Sequence, residues 1–345
     1  MTGLAAAYRR FSFLRQALLA AMMLALLVSF VADVATGPSL FPLADIWRGL
    51  FDAQSLSAAQ AVILWDVRLP YAVMAVLVGA ALGLAGAEMQ TALNNPLASP
   101  FTLGIAAAAT FGASLAIVLG LDFSGLGEHL AIPLMAFLFA AAATLLILVL
   151  SRSYGASTDT VVLFGIALLF TFEALGWLLQ FIADSDALQQ IVFWTMGSLA
   201  RATWPKIAVV AAVFAVCFAF SLRQVWVMTA LRGGEEQARS FGIAVERLRL
   251  VVLLRVSLLA AAALAFVGTI GFVGLVGPHI ARLLLGEDHR FYLPGAALAG
   301  ALMLSLASIA SKSLIPGVVL PIGIVTALVG VPLFMALILG RRQRG

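Results

Sequence analysis

Leu231–Leu250, LRGGEEQARSFGIAVERLRL, is a charge-dense island in the second half of an otherwise oily chain. Arg232-Gly233-Gly234 opens it, and Glu235, Glu236 and Arg239 follow. Gly242 then breaks it before Arg247 and Arg249 lead into the next apolar run. The pattern predicts a short amphipathic helix, a glycine stop and a second helix entering a membrane. Such an island is too short to be a domain and too charged to sit in lipid. It calls for a binding partner.

Outward from the island, composition sets the class. Of 345 residues, 63% are hydrophobic and 10% charged, with a mean hydropathy of +1.11. Soluble domains carry about 25% charged residues, so this chain lacks the polar surface to cover a soluble core. Its repeated apolar runs of roughly 20 residues match a hydrocarbon layer of about 30 Å at 1.5 Å per helical residue. The runs are continuous rather than alternating, which favours helices over a membrane barrel. The expected fold is all-α and polytopic, a single transmembrane domain over residues 1–345 with about ten spans.

In chain order, Arg9, Arg10 and Arg15 precede an apolar run over about 17–31. A signal peptide would look similar, but the many later spans favour an uncleaved first helix. Asp33–Asp66 reads as an external loop with short helical pieces. The second span, about 70–92, contains the small-residue run Val78–Ala87. Small residues let helix backbones approach where lipid removes the hydrophobic drive, so this helix is expected at the bundle centre. Asn94–Pro100 carries two prolines and cannot continue a helix. Spans follow at about 101–120, 130–150 and 160–183. Asp184–Thr203 suggests an interfacial helix, with Trp194 and Trp204 in a headgroup-level aromatic belt. Further spans lie at about 205–222 and 250–267. The glycine-rich Val267–Pro278 reads as a broken passage into a short helix ending near Leu285. The last spans fall at about 291–311 and 319–339.

Ten spans put both termini on one side, and positive charge says which. With the N-terminus cytoplasmic, the inner side collects Arg9, Arg10, Arg15, Arg152, Arg223, Arg232, Arg239, Arg247, Arg249, Arg282, Arg290 and the C-terminal arginines. The outer side has Arg48, Arg68, Arg201, Lys206 and Lys312. The island is therefore expected in the cytoplasm. The net charge of +4 is a topology signal, with no nucleic-acid footprint.

Residues that carry chemistry are few. Neither lysine, Lys206 or Lys312, follows a glycine, so the chain has no phosphate-cradling GxxxxGK loop. His129, His279 and His289 are scattered, and Cys217 stands alone in an apolar run. No catalytic residue, metal site or bound cofactor is expected from them. Glu88 and Glu173 lie inside spans, where an ionisable residue is a functional candidate. Either could relay protons in a secondary transporter. Equally, Glu88 could snorkel to the interface and Glu173 face a watery cavity.

The order RLP…LVGAALGLAGAEMQ…NNPLASPFTLG, WTMGSL, GEEQARSFGI, GFVGLVGPHIARLLLGEDHR and LPIGIVTALVGVPLF resembles the FecCD-type permeases over roughly residues 60–340. These are membrane subunits of bacterial type II ABC importers for ferric siderophores, haem and cobalamin. The resemblance implies a ten-helix bundle like that of the cobalamin-importer permease, in the bacterial inner membrane. It also implies a second permease copy, identical or different, and two ATPase subunits that bind ATP and Mg. A periplasmic binding protein would deliver cargo.

Within that resemblance, residues 226–246 match the cytoplasmic segment that couples the permease to its ATPase, through Gly234, Glu235, Glu236, Ala238, Arg239 and Gly242. Arg68 and Lys312 fall where external arginines meet the binding protein. Thr158 and Asp159 fall near the inner gate, and Glu173 joins them as a translocation-path candidate. Tyr71 stands where some members have another arginine. Ser308 replaces a common aspartate and Val319 a common glutamate, so the external mouth carries less charge here. The implied cargo is an iron chelate, with ferric siderophore first, haem second and cobalamin third. The alternative is a proton-coupled transporter using Glu88 or Glu173, which would need no coupling island.

Overall fold

The computed structural model describes residues 2–37, 42–52, 56–121, 130–154 and 157–342. His129, Pro38 and Arg344 lie outside the described residues. Seven helices are long and apolar enough to cross a membrane, and three shorter apolar ones accompany them, Ile105–Val118, Val273–Leu285 and Ile322–Ala336. Together they correspond to the ten expected segments.

The long helices are α1 (Thr2–Ala35), α4 (Leu69–Ala92), α6 (Ala131–Ser153), α7 (Thr158–Ile182), α9 (Trp204–Arg223), α12 (Val245–Val267) and α14 (His289–Ser313). The shorter apolar ones are α5 (Ile105–Val118), α13 (Val273–Leu285) and α15 (Ile322–Arg342). The Asp33–Asp66 region is more helical than a loop. It holds α2 (Leu43–Phe51) and α3 (Ala58–Val62), and a π-helical turn over Ile63–Arg68 runs directly into α4. The π turn frees the Trp65 carbonyl, which accepts from Trp204 Nε1 at 2.9 Å.

Helix α4 is the axis. Its apolar window is 83% buried, against 22% for α7 and for α9. A helix that is apolar all round belongs in the interior. Here the small-residue run decides what it touches. Gly79 and Gly83 face Gly300 and Ala296 of α14, and Gly86 faces Gly274 of α13. A Cβ at any of the three would collide with a backbone carbonyl across the seam. The helices can therefore approach to backbone contact only because these side chains are absent.

Backbone breaks occur where the sequence places glycine or proline. After α4, Asn94 takes φ 44°, and the Asn95 side chain accepts from the Leu97 amide at 2.9 Å. Gly268 (φ 79°) ends α12, and Phe272 (φ 66°) opens α13. The turn after α8 (Ser185–Thr195) staples this break to the start of α15. Ser198 N donates to Val267 O at 2.7 Å, Ile322 N to Gly197 O at 3.1 Å, and Gly323 N to Met196 O at 3.0 Å. Trp194 is 4% exposed and belongs to the core, so only Trp204, 41% exposed, suits an interfacial belt.

Gly86→Val and Gly300→Val should each destabilise the bundle by about 1–3 kcal/mol or more through overpacking. Gly176→Ala on α7, where an added Cβ meets nothing within 4 Å, should be neutral. Thermal unfolding in detergent checks this, and equal midpoints for all three variants would refute the close seam.

Candidate functional site

The island folds as α10 (Val225–Arg232), the pair Gly233-Gly234 and α11 (Glu235–Ser240), followed by Gly242 and the start of α12. Gly234 sits at φ 120° and Gly242 at φ 80°, conformations that cost other residues roughly 1–2 kcal/mol. Ala238 is fully buried, while Glu236, Gln237, Ser240 and Gly242 are exposed and Phe241 is 65% exposed. One face is thus tied down and the other is free.

Ion pairs do the tying. Arg249 of α12 pairs with Glu235 and donates from Nε to the Ala92 carbonyl at the end of α4, at 3.0 Å. Arg239 bridges Glu235 at 3.3 Å and Glu246 at 2.6 Å, closing α11 onto α12. Arg232 reaches Asn94 Oδ1 at 2.6 Å and Glu287 Oε1 at 2.8 Å. That hydrogen bond holds the Glu287 carboxyl below the usual carboxylate range. Arg282 continues the network to Glu287 (3.4 Å), Gln90 (3.1 Å) and the Tyr292 hydroxyl (3.0 Å). His289 lies between Thr91, at 2.9 Å, and Thr229 of α10, at 3.2 Å. The Arg249, Arg232 and Arg282 branches of this network reach the C-terminal end of α4, the residues just after it, or Glu287 in the turn between α13 and α14.

Glu88 does not snorkel. It is fully buried and takes a two-pronged bond from Arg255 of α12, Nε to Oε2 at 2.7 Å and Nη2 to Oε1 at 2.6 Å. The third guanidinium nitrogen, Nη1, donates to Gln224 Oε1 at 2.9 Å. Gln224 caps both the end of α9 and the start of α10. The pair therefore fixes the elbow from which the island hangs. Arg255 was absent from the sequence-based candidates. The legible signal was an arginine ten residues into a span, since an intramembrane cation requires a buried anion.

The external cations also turn inward. Arg68, 5% exposed, donates from Nη1 to the Val34 and Ala35 carbonyls at 3.0 and 2.8 Å, capping the end of α1. Lys312 pairs with Asp33 at 2.5 Å, and its ammonium lies 5.0 Å from the Tyr71 ring centroid. Ser308 donates to the same Asp33 carboxylate at 2.5 Å. The carboxylate missing at 308 is thus supplied by α1. Both residues expected at the binding-protein face, Arg68 and Lys312, thus also bond within the chain, Arg68 through Nη1 and Lys312 to Asp33.

Thr158 and Asp159 occupy the first turn of α7, behind a Ser157 cap that accepts from the Thr160 amide. Asp159 is exposed, as a carboxylate at a helix N-terminus is favoured to be. Glu173, half-buried, lines a cavity of about 170 Å³ with Thr110, Gln180 and Thr269. The structure does not bring these three residues together with the coupling network. Among the described residues, no cluster of three or more His, Cys, Asp or Glu could hold a metal.

Leu replacing either Arg255 or Glu88 alone should cost about 3–5 kcal/mol, since each strands a buried charge, and the double replacement should recover most of it. Thermal unfolding of the four proteins checks this. Simple additivity would refute the pair as a unit.

Comparison with known proteins agrees with this architecture. Residues 25–340 match the FecCD transport family. The chain is 35% identical to the hemin transport system permease protein of Yersinia pestis, covering 81% of this chain and 84% of the other. It is also 35% identical to the vitamin B12 import system permease protein of Vibrio cholerae (84% of this chain, 86% of the other). Identity to the molybdate import system permease protein of Haemophilus influenzae is 32% (85% and 86%). A solved structure described as a metal-chelate type ABC transporter, inward-facing, superposes with a TM-score of 0.82 at 31% identity, covering 94% of this chain and 99% of that one. The chain belongs to the FecCD transport family and is the membrane-spanning permease component of an ABC importer.

Proposed function

We propose that this permease carries a metal chelate inward across the bacterial inner membrane, a ferric siderophore first, haem second and cobalamin third. Both termini would lie in the cytoplasm, and a second permease copy and two ATPase subunits would complete the core. A periplasmic binding protein would load it. The supporting observation is the island. Its inner face is tied by ion pairs to α12 and to Glu287 before α14, and by a hydrogen bond to the end of α4, while Glu236, Phe241 and Gly242 stand exposed for a partner. A rigid unit of this kind converts closure of an ATPase below into rigid-body movement of the helices above. The chain itself holds no nucleotide loop, so the energy would come from the ATPase, with its ATP and Mg.

Relatives named for hemin and vitamin B12 are equally similar, both at 35% identity. The exposed faces of α7 and α15, with Leu163, Phe170, Trp177, Leu328 and Met335, suit a bulky ligand recognised by shape and already wrapped around its metal. A proton-driven mechanism is disfavoured because Glu88 is committed to Arg255.

Glu236→Lys leaves the internal bonds intact and should lower ATPase-subunit affinity by about tenfold, or about 1.4 kcal/mol. Glu235→Arg should in addition uncouple hydrolysis from transport. Co-purification and binding-protein-stimulated ATP hydrolysis in proteoliposomes measure both, and wild-type values would overturn the coupling assignment. Glu173→Gln should leave ATP-driven uptake of ferric siderophore, haem and cobalamin unchanged across a pH series. A displaced profile would revive the proton relay.

A further inference from the structure

A cavity of about 550 Å³ opens at the external ends of α5, α6, α8, α9 and α12, away from the coupling network. Arg201 and Lys206 both line it. Lys206 Nζ donates to the Arg201 backbone carbonyl at 2.9 Å, so both cationic residues belong to one wall of the cavity. Arg201 Nη2 makes one long bond to the Phe193 carbonyl, 3.3 Å. Its Nη1 is enclosed without a hydrogen-bond partner. Among the described residues no carboxylate lines the cavity, and Arg201 repels the ammonium of Lys206. Two part-buried cations with no carboxylate beside them in the described lining are costly, and an anion in the cavity would relieve both the repulsion and the orphaned donor.

Three features identify the anion. The volume greatly exceeds that of a phosphate or sulfate ion. The wall opposite the cations is apolar, formed by Ile117, Ile132, Pro133 and Phe266, while the amides of Gln189 and Gln190 complete the polar side. The depth is that of lipid headgroups, because Trp204, two residues before Lys206, is 41% exposed with its indole N–H bonded to the Trp65 carbonyl. The flanking helices α6 and α9 are only 33% and 22% buried, so the cavity lies on a lipid-facing flank of the chain.

We propose that this cavity binds an anionic phospholipid of the external leaflet, its phosphate between Arg201 and Lys206 and its glycerol and upper acyl chain along the apolar wall. The site is independent of which chelate the permease carries.

The test uses the full chain in nanodiscs of phosphatidylglycerol mixed with phosphatidylcholine, followed by native mass spectrometry of retained lipid. Wild type should keep phosphatidylglycerol selectively, and Arg201→Gln with Lys206→Gln should reduce that retention about tenfold or more. Ala200→Trp, which adds bulk to the cavity lining while keeping both cationic residues, should do the same and guards against a folding artefact. Free glycerol phosphate or inorganic phosphate that displaces the lipid only weakly supports the lipid as the source. Full displacement by inorganic phosphate would overturn it in favour of a free anion. Equal lipid retention by wild type and both variants would overturn the site. Retained lipid with a lost binding-protein complex would assign the cations to an acidic protein partner instead.

Discussion

Backbone contact along α4 is the constraint from which the architecture follows. Inside a membrane, apolar side chains gain nothing by leaving lipid for protein, so helices hold together through close packing and hydrogen bonds. The glycines at 79, 83, 86, 274 and 300 supply that packing. They pin α13 and α14 against α4 and leave its C-terminal end fixed relative to both. Everything that the island touches is attached to this fixed end. A looser seam would let α4 move independently, and force applied at Glu235 would be lost as internal slack.

The second constraint is the treatment of charge. Glu88, Arg249, Arg255, Asp33 and Lys312 all have buried side chains, and each is matched to an opposite charge in the same chain. In low dielectric an isolated charge would be prohibitive, and pairing with further hydrogen bonds makes it tolerable. Pairs of this kind connect helices that are distant in sequence: α4 with α12, α1 with α14. They also make the contacts geometrically exacting, because a forked guanidinium accepts only one approach of the carboxylate. The bundle thus gains fixed registers where small residues alone would allow sliding.

Much of this was legible in the sequence. Apolar runs located the spans, the small-residue run singled out α4 as central, and the glycines at 234 and 242 bounded the island. The pairing of charges was not legible. Glu88 reads as a lone carboxylate near a helix end, and its partner lies 167 residues away. Arg68 and Lys312 read as external cations because loop position is visible in sequence and side-chain direction is not. Trp194 reads as an interfacial anchor for the same reason, yet it is buried beside the backbone staple of the WTMGSL turn. In each case the missing information was a long-range contact that local pattern does not encode.

The distribution of polarity along the membrane normal also bears on how such a chain can move. The end of the bundle that carries the island concentrates arginines and carboxylates into a network, whereas α7 and α15 expose apolar faces with no comparable ion pairs among the described residues. Movement should therefore be confined to the weakly bonded periphery. Breaking the buried Arg255–Glu88 pair would strand charges away from water, while sliding Leu163 or Phe170 past a neighbour exchanges one apolar contact for another. A rigid charged hub with a mobile apolar flank is a way to transmit force in one place and open a path in another.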